Sequence, residues 1–114
     1  MKNINTLLNY AKEQNEKAKK YKTLISFKEF AQKIIVNGAI EQQYKLMNLI
    51  SQADHNLSLE SVYAFVLNEN QKAKKFITDF DPEKNRISEK LHAKGAEAQT
   101  RRFLTLIIKM HIQK

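Results

Sequence analysis

Apolar residues recur along most of this chain at spacings of three and four, the repeat of an α-helix that buries one face. From Asn3 to Lys22 the residues Ile4, Leu7, Leu8, Ala11, Ala18 and Tyr21 fall near one such face. The stretch between them, Lys12 to Lys17, is almost wholly polar. Glu13–Lys17 and Glu16–Lys20 stand in the favourable order at four-residue spacing, each contributing about 0.3 kcal/mol. This predicts a helix that supports itself while burying little at mid-length.

Ser26-Phe27-Lys28-Glu29 has the form of a capping box, with Ser26 as N-cap. It predicts a second helix with Phe27, Phe30, Ala31, Ile34 and Ile35 inward, so that Asn3–Val36 holds two helices rather than one long one. Asn37-Gly38 reads as the stop, because glycine readily takes the left-handed conformation that ends a helix. A helix from Ala39 to Ala53 follows, then a turn at Asp54-His55-Asn56. Ser58 is the expected N-cap, with Glu60 placed for the helix dipole. The helix it opens runs from Leu59 to about Phe76 and buries Leu59, Val62, Phe65, Val66, Ala73 and Phe76. Asp81 as N-cap, Pro82 at the first helical position and Glu83 in the first turn predict the next helix start. Gly95 is a candidate break in it, costing about 1 kcal/mol if it stays helical.

The last stretch, Arg102 to Gln113, is the densest apolar run. Leu104, Leu106, Ile108, Met110 and Ile112 alternate as a strand would, but the opposite strand face would mix Phe103 and Ile107 with Thr105, Lys109 and His111. As a helix, Arg102, Thr105, Lys109 and Gln113 collect in one narrow polar stripe, and no partner strand exists elsewhere. A helix apolar nearly all round must be wrapped by other elements or by a second copy. The expectation is one domain over residues 1–114, an all-α compact bundle of four to six helices with the apolar C-terminal helix central to its core. Phe103, Leu104, Ile107, Ile108 and His111 are its expected interface in a homodimer.

Composition supports this architecture. Two glycines and one proline in 114 residues cannot supply the turns of an all-β fold. No cysteine is present, which removes disulfides, thiolate metal sites and cysteine nucleophiles together. No run approaches the roughly 18 apolar residues of a membrane span, and the first residues lack the apolar core of a signal peptide. A cytoplasmic protein with no membrane role is expected, and the sequon Asn56-Leu57-Ser58 then carries no weight.

Candidate chemistry is sparse. His55, His92 and His111 are dispersed and form no metal-ligating spacing. Asp79, Asp81 and Glu83 could hold a cation, though capping explains Asp81 and Glu83. Asp54 to Glu60 mimics the start of a calcium loop but has Leu59 where glycine is required and Phe65 where the bidentate glutamate belongs. Isolated glycines at 38 and 95 form no phosphate-cradling loop. A non-catalytic protein without cofactor or metal is expected.

Charge points further. The net charge is +8, and it is uneven: residues 34–83 hold four lysines against seven acids, while 84–114 hold eight basic residues against two. Leu49 to Phe65 resembles a helix-turn-helix, but Asn56 stands where glycine is usual, Gln52 where a small residue is needed, and no basic residue precedes Lys72 on the would-be reading helix. An ordinary helical hairpin is the better reading. The basic clusters Lys17, Lys19, Lys20 and Lys22; Lys72, Lys74 and Lys75; and Arg101 and Arg102 are the stronger candidates. With three arginines, contact would be led by the phosphate backbone and steeply salt-dependent. The expected function is a nucleic-acid-binding accessory or regulatory factor. The alternative is a helical protein-interaction module (adaptor, chaperone or inhibitor) with no nucleic-acid role.

Overall fold

The computed structural model of the protein describes residues 2–24, 29–52 and 57–112. Among them the chain forms four helices and no strand: α1 (Lys2–Leu24), α2 (Phe30–Gln52), α3 (Leu59–Thr78) and α4 (Ile87–Ile112). No helix among these residues is long and apolar enough to cross a membrane. Asn3–Val36 does contain two helices, since α1 ends at Leu24 and α2 begins at Phe30. The Ser26 cap and the turn at Asp54-His55-Asn56 lie outside the described residues. Ser58 caps α3 as expected, its Oγ accepting the Ser61 N–H at 3.1 Å. Of the side chains expected inward on α3, Phe65 and Phe76 are only half-buried.

Three expected boundaries are corrected. Asn37-Gly38 does not stop a helix, and Gly95 does not break one; both glycines are buried inside continuous helices, in α2 and α4. A Cβ built on Gly38 would lie 1.9 Å from the His92 carbonyl oxygen, and one on Gly95 would lie 1.7 Å from the Ile35 carbonyl oxygen. Each glycine therefore faces the other helix's backbone, and the two helices touch main chain to main chain. That contact offsets the intrinsic cost of helical glycine. The other correction concerns Asp81. Its Oδ1 accepts the Glu83 N–H at 2.9 Å, and its carbonyl accepts from Lys84 and Asn85 at 3.0 and 2.8 Å. This closes one turn and no more. α4 starts at Ile87, where the Glu89 carboxylate reaches back to the Arg86 N–H at 3.1 Å.

Consecutive helices run antiparallel: Asn15 meets Gln43 while Lys22 shares a cleft with Lys33, Gln42 meets Glu69 while Ile34 shares one with Phe76, and Asn70 meets Thr100 while Phe76 shares one with Ser88. α2 and α4 are then parallel, and the glycine crossing brings this pair together. α1 packs chiefly on α2, α3 on α4, and α1 touches α4 only lightly.

The interior is layered along the helices. One end is apolar: Ile4, Leu7, Leu46, Val62, Val66, Phe103 and Ile107 form a continuous cluster, with the Tyr10 ring edge-on to Phe103 at 5.9 Å. The middle is a polar layer that every helix feeds, with Asn15, Gln43, Gln42, Glu69, Asn70, Gln99 and Thr100 all buried. Asn15 lies inside the polar stretch of α1 that was expected to bury little. Beyond it lies the small-residue layer of Gly38, Ala73, Ala93, Gly95 and Ala96.

The crossing predicts the sign of a substitution. Gly38→Ala or Gly95→Ala places a methyl group against a backbone carbonyl that cannot rotate away. Each should destabilise the fold by about 3 kcal/mol, although alanine is intrinsically favoured in a helix by about 1 kcal/mol. Thermal unfolding followed by circular dichroism checks this; a variant as stable as the parent would refute the crossing.

Candidate nucleic-acid interface

Lys17, Lys19, Lys20 and Lys22 are exposed along the C-terminal half of α1, and Arg101 and Arg102 are exposed on α4. Because α1 leans on α2 and barely meets α4, side chains from α1 and α4 face one another across open clefts. Lys17 and Arg102 line one cleft, of about 510 Å³, together with Gln14, Tyr21, Gln43 and Gln99. Arg101 and Arg102 line a second with Tyr10, Thr105, Leu106 and Lys109. On the α2 side of α1, Lys19, Lys22 and Lys33 line a third with Thr23 and Tyr44. Arg102 belongs to both α4 clefts, and its guanidinium reaches across to the Gln14 Oε1 of α1 at 3.5 Å.

Few of these charges are neutralised. Lys17 pairs with Glu13 at 3.2 Å, with both side chains largely exposed, a pairing of little strength in water. Arg101 stands 3.7 Å from Glu97. Lys19 lies over the Tyr44 ring, 5.2 Å from its centroid, a cation–π contact that holds the lysine beside an exposed aromatic. Lys72, Lys74 and Lys75 are exposed on α3 and line none of these clefts. Lys72 instead pairs with Glu69 at 3.4 Å. Of the three sequence clusters, Lys17 of the first shares a cleft with Arg102, Lys19 and Lys22 line a separate one, Lys20 lines none of the three, and the α3 cluster stands apart.

Several residues of this face were not singled out for binding in the sequence reading: Lys33, Lys109, Tyr10, Tyr44, the buried amides and Tyr21, which was expected on the inward face of α1 and is 49% exposed. Lys109 was within reach, because it shares the polar stripe with Arg102 and Thr105 that lines the second cleft. The amides form a relay through the core. Asn15 Nδ2 donates to Gln43 Oε1 at 2.9 Å, and Gln43 Nε2 donates to Gln99 Oε1 at 2.8 Å. Gln99 Nε2 has no partner, although it is buried.

The expected interface on α4 divides. Phe103 and Ile107 are buried in the protein's own core, Phe103 against Tyr10 of α1 and Ile107 beside Leu59 and Tyr63 of α3. Leu104 is half-buried. Ile108 and His111 are exposed, as is Ile112. Ile108 and His111 line an apolar hollow of about 310 Å³ with Leu59 and Tyr63.

The other concentration of charge, between α2 and α3, is structural. The Glu69 Oε1 accepts from Lys45 Nζ at 2.7 Å and Gln42 Nε2 at 3.1 Å. Burial pushes this carboxyl's pKa up, but the hydrogen bonds from Lys45 and Gln42 and the charges of Lys45 and Lys72 outweigh it and hold the pKa below 4.5. Lys45 is raised above 10.5, mainly by its hydrogen bond to Glu69 against the effect of burial, with Glu41 adding to the rise. His92 pairs with Glu41 at 2.9 Å. No cluster of three or more His, Cys, Asp or Glu among the described residues is arranged to hold a metal ion. Comparison of the chain with protein-family models, curated proteins and solved structures finds no match.

The Glu69 clamp predicts an acid dependence. A carboxyl whose pKa is lower folded than unfolded stabilises the fold above the unfolded value, near 4.5. That contribution is lost as pH falls through the folded value. Glu69→Gln should cost about 2 kcal/mol at neutral pH and lose less further stability on acidification than the parent. Urea unfolding at neutral pH and below the carboxylate range checks this; parallel losses in parent and variant would contradict it.

Proposed function

We propose that the protein is a small, non-catalytic nucleic-acid-binding factor, accessory or regulatory in role, that holds the phosphate backbone along the α1–α4 face. The observation that carries this reading is the shared position of Arg102 between the two α4 clefts. Through it Lys17 on one side and Arg101 and Lys109 on the other line adjoining basic clefts. Lys19, Lys22 and Lys33 extend the basic surface round α1. Lysine supplies mobile point charges for phosphate, and the two arginines supply forked donors. The tyrosines interleaved with them are the second component of surfaces that bind nucleic-acid strands. Lys72, Lys74 and Lys75 contribute to the general field and not to the strand path.

A second reading draws on a different surface. Ile108 and Ile112 are 46% and 75% exposed at the C-terminal end of α4, beside the hollow lined by Leu59 and Tyr63. α4 would then present this apolar end to a partner protein or a second copy, as in an adaptor, chaperone or inhibitor. The α1–α4 face has the larger share of positioned chemistry, and the nucleic-acid reading is preferred.

Binding to mixed-sequence nucleic acid should be readily measurable at about 50 mM salt and should weaken steeply as salt rises. Arg102→Ala should weaken it at every sequence and reduce the slope of log K against log salt by about one. Lys74→Ala with Lys75→Ala should leave the slope close to the parent's. Titration across a salt series checks all three; absence of binding at low salt would refute the reading.

A further inference from the structure

The cleft between α1, α2 and α4 holds more than phosphate-binding charge. It exists because Ala18, Ala39, Gly95 and Ala98 line it with little side-chain bulk. Its volume, about 510 Å³, is that of a small-ligand site. Lys17 and Arg102 contribute cationic groups, Tyr21 contributes an aromatic ring that is 49% exposed, and Ile35 and Val36 add apolar wall.

Gln99 makes the cleft chemically selective. Its residue is 3% exposed, its Oε1 is already taken by Gln43 Nε2 at 2.8 Å, and its Nε2 has no partner. A buried donor without an acceptor is costly to the fold. A ligand that brings an acceptor to Gln99, flat apolar faces to the walls and an anion to Lys17 and Arg102 would complement this lining. A hydrocarbon chain would fill the walls and leave the amide unpaired. Free phosphate would meet the cations and leave the walls empty. A base inside a duplex is already paired and stacked.

We propose that this cleft receives one unpaired nucleotide of a single-stranded nucleic acid, its base between Tyr21 and the Gln43–Gln99 amides and its phosphate between Lys17 and Arg102. The proposal rests on the phosphate-binding reading above and deepens it from backbone contact to strand selectivity. Base carbonyls and ring nitrogens supply the acceptor for Gln99 Nε2. Stacking on an exposed tyrosine is tolerant of base identity, so the preference is for unpaired strands over any one sequence.

Fluorescence anisotropy of the full chain with mixed-sequence RNA and DNA strands of about 12 nucleotides, and with the matching duplexes, tests this. Single strands should bind about tenfold more tightly than duplexes, and Tyr21→Ala and Gln99→Met should each cost about tenfold on single strands and much less on duplexes, so that the preference narrows. Tyr21 lies outside the core, so its variant reports on the cleft without risk to the fold; thermal unfolding verifies that Gln99→Met is folded. Equal affinity for strands and duplexes, or variants that bind single strands as the parent does, would overturn the nucleotide site and leave the phosphate reading standing. No binding to either form would overturn both.

Discussion

The contact on which the rest of the structure depends is the main-chain crossing of α2 and α4. A Cβ on either glycine would sit within 2 Å of an opposing carbonyl oxygen, so only glycine at 38 and 95 permits it. With four antiparallel neighbours in a ring, parallel helices sit on a diagonal and need not touch. Here they do, and the bundle is flattened along that diagonal. α1 is left resting on α2, and α3 on α4. The open angle between α1 and α4 follows from that flattening, and two of the basic clefts occupy it.

The same crossing sets the register of the buried polar layer. Gly38 opposite Gly95 places Gln43 beside Gln99 in the parallel pair, and the antiparallel α1 brings Asn15 to Gln43. Glu69 and Asn70 approach from α3 to meet Gln42, Lys45 and Thr100. Buried hydrogen-bonding groups of this kind tolerate little displacement, because a lost partner costs more than the bond contributes. They fix helix register in a way that the apolar cluster of Ile4, Leu7, Leu46, Val62 and Phe103 does not demand. The layer also lies beside the α1–α4 cleft, where its last amide is unpaired.

Much of this was legible from local pattern, and what was not required partners far along the chain. The three- and four-residue apolar repeat was sufficient for helices, and Ser58 was identifiable as a cap because its partner is three residues away. The stripe of Arg102, Thr105 and Lys109 was visible for the same reason, and it lines a basic cleft. Gly38 and Gly95 were misjudged because local propensity assigns glycine to helix ends; only the approach of a second backbone makes it favourable mid-helix. Asp81 and Pro82 are a sound local start signal, but the turn they begin closes on itself and α4 starts six residues later at Ile87. Pairing of Asn15 with Gln43 and of Gln43 with Gln99 leaves no local trace. Charge density could not separate Lys72, Lys74 and Lys75 from Lys17 and Arg102, since the packing of α1 on α2, and not the sequence interval, decides which charges share a cleft.

The central claim is that the α2–α4 crossing and the lean of α1 create one recognition face, with Arg102 at its junction. Two-dimensional NMR of the isotopically labelled chain, titrated with a mixed-sequence single strand at low salt, tests it residue by residue. The account predicts shifts concentrated in the Gln99 side-chain amide and the backbone amides of Lys17, Tyr21, Gly95 and Arg102, with α3 from Lys72 to Lys75 little changed. Shifts centred on Lys72–Lys75, or on Ile108 to Ile112, with the α1–α4 cleft silent would contradict it.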